Sequence, residues 1–198
     1  LPWAEPDIDI ENIETVLETL STTCYFLSAE KNRYRFSLSP NLNKLLADRR
    51  ASVQPKKIKE RLRAEVQKVF TGGTGVERVY FPKKSGQISD RPVLSSVIMS
   101  PEQSISEKAT RDFIETATKE SGTSGRIYKS GLVWSVPDSP DALRDEARKV
   151  LAWEDITDEE DELRLDDAQK RQLAENVKKA QRDIRETVWR TYKNLAHV

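Results

Sequence analysis

The sequence is short of the residues that most often carry catalysis. Among 198 residues there is one cysteine and one histidine. A single Cys24 excludes an internal disulfide and a cysteine-based zinc site. That usage fits a reducing compartment, so a cytoplasmic location is expected. Within Cys24-Tyr25-Phe26-Leu27 the thiol reads as a small buried apolar group rather than a nucleophile. His197 is next to last, where a chain end is a poor seat for a general base, and no Ser/His/Asp or Cys/His set can be built around it. A mechanism using carboxylates alone has no spacing that selects a pair. Neither catalytic residue nor cofactor is expected.

Long apolar runs are missing too. None approaches the roughly 18 residues of a membrane-spanning helix. The chain opens Leu1-Pro2-Trp3-Ala4-Glu5-Pro6, without an initiator Met, a basic segment or an apolar leader. It reads as a piece of a longer protein. Charge of one sign is not in excess: 33 Lys and Arg stand against 33 Asp and Glu. A uniformly basic nucleic-acid binder is therefore not indicated, and local distribution matters instead.

Two motifs fail on inspection. Gly72-Gly73-Thr74-Gly75 has the glycines of a phosphate loop but no lysine at the required spacing, and it follows a helical pattern. It reads as a flexible break. The acidic residues Glu154, Asp155, Asp158, Glu159, Glu160, Asp161 and Glu162 lack the alternating oxygen donors and central glycine of a calcium loop. They read as a solvated loop that places negative charge near the start of the last helix.

What is present is a mixed α/β pattern with a charged share of 33%, above the roughly 25% usual for globular chains. After an acidic, Pro-rich lead-in over 1–10, Asn12 can cap a helix through Ile13, Val16, Leu17 and Leu20. Cys24–Ser28 and Arg33–Ser37, joined by a short polar turn, predict a β-hairpin whose second strand alternates basic and aromatic residues. A helix followed by a hairpin is how a winged-helix module ends. Helices follow through Leu42, Leu45 and Leu46, and from Pro55 through Ile58, Leu62, Val66 and Phe70.

Beyond the glycine break, strands are expected at 78–81, 93–99 and 132–136. Helices are expected at 106–119 and 140–151, which makes a βαβα unit. A long helix over about 166–195 carries a seam through Ala168, Leu173, Val177, Ala180, Ile184, Val188, Tyr192 and Leu195. It either packs along the sheet or pairs with another helix. The expected division is a winged-helix-like part over 1–71 and a small α/β domain over 76–198. Trp3, Trp134, Trp153 and Trp189 read as core or partner-facing, with at least one at an interface.

The candidate nucleic-acid contacts are Lys31, Arg33 and Arg35 on the hairpin, with Arg49, Arg50, Lys56, Lys57 and Lys59 on the two following helices. Wings and flanking helices grip phosphates with such residues. The competing reading is a solvated helix face with local salt bridges, since Asp48, Glu60 and Glu65 lie among them.

Three stretches together resemble a known family: Cys24–Leu27 with Arg33-Tyr34-Arg35-Phe36-Ser37 and Pro40-Asn41-Leu42-Asn43-Lys44-Leu45-Leu46-Ala47-Asp48-Arg49-Arg50; the strand–helix segment ending Asp141-Ala142-Leu143-Arg144; and Leu151-Ala152-Trp153 with the acidic run and charged helix after it. The chain resembles the C-terminal region of large prokaryotic AAA+-type ATPases of the domain-of-unknown-function 499 family. The resemblance implies a parent encoded beside DNA methyltransferases and helicases in anti-phage clusters, with its nucleotide site upstream. This chain would then be a non-catalytic accessory or regulatory module for nucleic-acid or partner recognition. Its partners would be the upstream ATPase domain, DNA and sister proteins of a defence cluster, and no membrane. The alternative is a purely structural protein–protein docking domain.

Overall fold

A computed structural model describes residues 10–30, 33–36 and 40–196. In chain order the elements are helix α1 (Ile10–Thr23), strands β1 (Leu27–Glu30) and β2 (Arg33–Phe36), helices α2 (Leu42–Ser52) and α3 (Pro55–Val69), strands β3 (Glu77–Tyr80) and β4 (Ser95–Ile98), helix α4 (Lys108–Lys119), strands β5 (Glu120–Ser121), β6 (Ser124–Gly125) and β7 (Leu132–Val136), helices α5 (Asp141–Asp158) and α6 (Asp167–Thr191), and strand β8 (Asn194–Ala196). The fold is mixed α/β with a long C-terminal helix of 25 residues. It divides into two units, each drawn from both parts of the chain: 1–53 with 148–180, and 54–147 with 181–198.

In the first unit, β1 and β2 pair antiparallel, Leu27 opposite Phe36 and Glu30 opposite Arg33. One side chain organises the elements around this hairpin. Asn41 Oδ1 accepts the N–H groups of Asn43 (2.9 Å) and Lys44 (3.4 Å), capping α2. Its Nδ2 donates to the carbonyls of Leu27 (2.7 Å) and Ser21. The end of α1, the start of the hairpin and the start of α2 are thus tied at one amide. Leu27, Leu42 and Leu45 are buried, as are Val150, Trp153, Ile156, Leu165 and Leu173 from the later segment. The start of α6 is capped reciprocally: Asp166 accepts from the Gln169 N–H (2.8 Å), and the Gln169 side chain accepts from the Asp166 N–H (3.2 Å).

The second unit is built on a four-stranded sheet in the order β3-β4-β7-β8. The first three strands are parallel and β8 is antiparallel to β7. β4 and β7 are joined through α4, a crossover helix as parallel pairing demands. β3 reaches β4 through an irregular segment with only a 3-10 turn at Ser85–Gln87. Leu132, Trp134 and Val136 of β7 alternate onto one face and pack with Ile88, Val97, Met99, Ile114 and Ala117. Trp134 is fully buried, meets Phe113 edge-on at 6.2 Å, and donates its indole N–H to Thr118 Oγ1 at 3.1 Å. Tyr192 donates its hydroxyl to the Met99 carbonyl (2.8 Å), and burial pushes its phenol up, with the nearby Glu102 carboxylate adding to the shift.

Several expectations change. The helix expected at 140–151 runs on to Asp158, so Glu154, Asp155 and Asp158 are helical rather than loop. The last helix stops at Thr191, four residues short, and Asn194–Ala196 adds a strand to the sheet. Leu195 fits the helical seam by spacing yet is exposed, and Ala168 is exposed as well. Leu173, Ala180, Ile184, Val188 and Tyr192 of the seam are buried within the chain. The strand expected from Val93 begins at Ser95, leaving Val93 and Leu94 exposed. Cys24 is half-buried rather than buried. Trp134 and Trp153 are core residues, whereas Trp189 is 58% exposed. Trp3 lies outside the described residues. No helix among the described residues is long and apolar enough to cross a membrane.

Candidate functional site

The basic residues fall into both units. Arg33 and Arg35 stand two apart on β2 and therefore project from one face of the hairpin, both exposed. On the other face Tyr34 is half-buried and Phe36 is 88% exposed, the barest large apolar side chain described. Tyr25 and Phe26, at the entry to β1, are also exposed, with rings 6.2 Å apart. Lys31 lies outside the described residues, as does His197.

Arg49 and Arg50 end α2, where positive charge suits the carboxyl end of a helix. Their surroundings differ. Arg49 is held by Asp155 (3.4 Å) and by Glu159, so its charge is met inside the first unit by the acidic run. Arg50 is exposed. Upstream on α2, Lys44 and Asp48 pair at 2.7 Å. That hydrogen bond raises the lysine, and the lysine holds the Asp48 carboxyl below the usual range. Two more members of the acidic run are engaged as well: Glu160 and Asp161 approach Lys170 at 3.7 and 3.0 Å. Among the described residues no group of acidic, histidine or cysteine side chains is arranged to hold a metal ion.

Lys56, Lys57 and Lys59 belong to α3 in the second unit. Lys56 lies 4.0 Å from Glu60, a loose surface pair, and Lys57 is exposed. Lys59 points to Glu102 (3.6 Å), which also meets Arg63 (3.5 Å) and accepts from Ser100. Burial pushes the Glu102 carboxyl up, but Ser100, its own N–H and the two cations outweigh it, leaving it low. Arg63 lies over the Phe81 ring at 5.7 Å. Phe81 itself has φ of 54°, unusual for a bulky residue. This cluster joins α3 to the loop after β4. It reads as an ion-pair network around Glu102 in which Lys59 is the outer member, its side chain 57% exposed.

A second constellation is not apparent from sequence. The Arg126 side chain is buried and donates to the carbonyls of Ser89 (2.8 Å), Ala117 (2.9 Å) and Ile88 (3.0 Å). Asp90 accepts the N–H groups of Ile127 (2.8 Å) and Tyr128 (2.9 Å). Those two backbone donors, with Arg126 nearby, hold the Asp90 carboxyl below its usual range against the opposing effect of burial. Only the polar character of Arg126 marks it in the sequence. Its burial depends on carbonyls from two separate segments, 88–89 and 117. No family model matches this chain, and no curated protein or solved structure matches it.

Proposed function

We propose that the chain is a non-catalytic nucleic-acid-contacting module, with the β1–β2 hairpin as its wing. The observation that carries this reading is the hairpin surface: Arg33 and Arg35 exposed on one face, and a bare Phe36 on the other. Guanidinium groups on a strand meet phosphates, and an unburied aromatic ring on the same strand, though on its other face, offers a base a stacking surface. Phe36 is exposed where a core residue would be covered, and it follows Arg35 directly in the strand, which favours contact over core packing. Arg50, Lys56, Lys57 and Lys59 are the further exposed cations of the candidate set. Arg49 is held by Asp155 and Glu159, and Lys59 faces Glu102 at 3.6 Å while staying exposed.

The resemblance to the C-terminal region of the domain-of-unknown-function 499 ATPases rests on the same stretch, Arg33-Tyr34-Arg35-Phe36 with Pro40-Asn41-Leu42-Asn43-Lys44-Leu45. It supports placing the module behind the nucleotide site of a AAA+-type parent in the cytoplasm, in DNA modification or anti-phage defence. On this reading the α1–hairpin–α2 segment is the tail of a winged-helix lid and the sheet unit is the small βαβα domain after it. The test is the salt dependence of binding to duplex and single-stranded DNA. Each lost phosphate contact lowers the log–log slope by about 0.9 on duplex and about 0.7 on a single strand. Arg33→Glu with Arg35→Glu should flatten the duplex slope by about 1.8. An unchanged slope with unchanged affinity would remove the hairpin from the interface.

A further inference from the structure

The second unit displays apolar side chains on a loop that is held unusually firmly. Ile127 is 78% exposed, and Tyr128, Val93 and Leu94 are exposed beside it. Here Asp90 fixes the backbone N–H groups of both Ile127 and Tyr128, while Arg126, immediately before them, is anchored to three carbonyls of the core. Gly131 closes the other end of the loop. A side chain there would bring its Cβ within 2.9 Å of the Val93 carbonyl oxygen, so close approach of the two loops requires glycine.

Between the loops lies a cavity of about 260 Å³ walled by Pro92, Val93, Leu94, Tyr128 and Gly131, with Arg91 at its rim. It is smaller than the roughly 300–1,000 Å³ of small-molecule and cofactor sites. It suits one large side chain of an incoming peptide. The loops are ordered before any partner arrives, so binding would not bear their ordering cost.

The charged groups of Arg91 and its neighbours in the two loops indicate what flanks that side chain. Both Asp90 oxygens accept backbone N–H groups, and Arg91 is held by both oxygens of Glu77 at 2.9 and 3.1 Å. Lys129 stands in the chain between the lining residues Tyr128 and Ser130 without itself lining the cavity; it is exposed, and no hydrogen bond or ion pair holds its side chain among the described residues. One uncompensated positive charge thus stands next to the cavity along the chain.

We propose that this surface docks a short segment of a partner protein, an apolar anchor side chain flanked by acidic residues. The surface is independent of the hairpin reading above. A single anchor of this size belongs to weak, transient recognition. The probes are two capped tripeptides, Asp-Phe-Asp and Lys-Phe-Lys, titrated into the isotope-labelled full chain at moderate salt. The acidic peptide should give saturable amide shifts at Val93, Leu94, Tyr128 and Gly131. The basic peptide should bind about threefold more weakly, the effect that an exposed ion pair supplies. Lys129→Glu, at an exposed position, should keep the fold and reverse that preference. No saturable shift at millimolar peptide, equal binding of both peptides in wild type and Lys129→Glu alike, or the same shifts on concentrating the protein alone, which would make the occupant a second copy, each overturns the proposal.

Discussion

Asn41 concentrates more of the first unit's organisation than its size suggests. Its amide caps α2 and satisfies carbonyls at the end of α1 and the start of β1. Asn41→Ala removes a cap worth about 1 kcal/mol and strands one buried carbonyl, that of Leu27, at roughly 1–3 kcal/mol. The expected loss is about 2–4 kcal/mol in urea unfolding, with early amide exchange at Asn43 and Lys44. A loss below 0.5 kcal/mol, about that of an ordinary surface substitution, would show that the cap does not organise the unit. Asp90 carries the residue-scale pH dependence. Its folded carboxyl lies below the ordinary range because it accepts two backbone N–H groups. The stabilisation is therefore fully present above the unfolded value, about pH 4, and is lost as pH falls through the lowered folded value. A carboxyl-carbon titration by NMR should find Asp90 protonating later in acid than free aspartate, with Ile127 and Tyr128 amides moving in step. Protonation in the ordinary range would remove the brace.

At the scale of elements, the parts legible in the sequence are those set by local chemistry. Asn41 before Leu42 marks a helix start, Pro55 another, and the alternation of Leu132, Trp134 and Val136 marks a strand with one buried face. The parts not legible depend on distant partners. Leu195 continues a helical spacing, yet the helix ends at Thr191, whose carbonyl accepts the Asp138 N–H, and Lys193 pairs with Asp138 at 2.7 Å. The chain then lies against β7, a partner some sixty residues earlier that no local pattern announces. The acidic run looked solvated because Arg49, which meets Asp155 and Glu159, is over a hundred residues away. The hairpin of the candidate site is legible, since basic and aromatic residues alternate along it. The divergent roles of Arg49 and Arg50, adjacent in sequence, are not.

Across the whole molecule, each unit is assembled from separated stretches, and this has a consequence for dissection. α3 belongs to the sheet unit, where Ile58, Leu62 and Val66 are buried and Phe70 packs on Trp189 and Tyr192 at 5.5 Å. Burying each such aliphatic side chain is worth roughly 1.5–3 kcal/mol. Three of them approach the whole stability of a typical domain, about 5–15 kcal/mol. A fragment beginning at residue 76 should therefore lack dispersed amide resonances and cooperative unfolding. Cooperative melting of that fragment near the full-length temperature would contradict this dependence on α3.

The central claim is that the hairpin touches nucleic acid, and an amide shift map of the labelled chain on titration with a short duplex tests it most directly. The largest shifts should fall at Arg33, Tyr34, Arg35 and Phe36, with a smaller response at Arg50, and all should fade as salt is raised. Shifts that leave 33–36 untouched while other segments respond, or no shift at low salt, would contradict it.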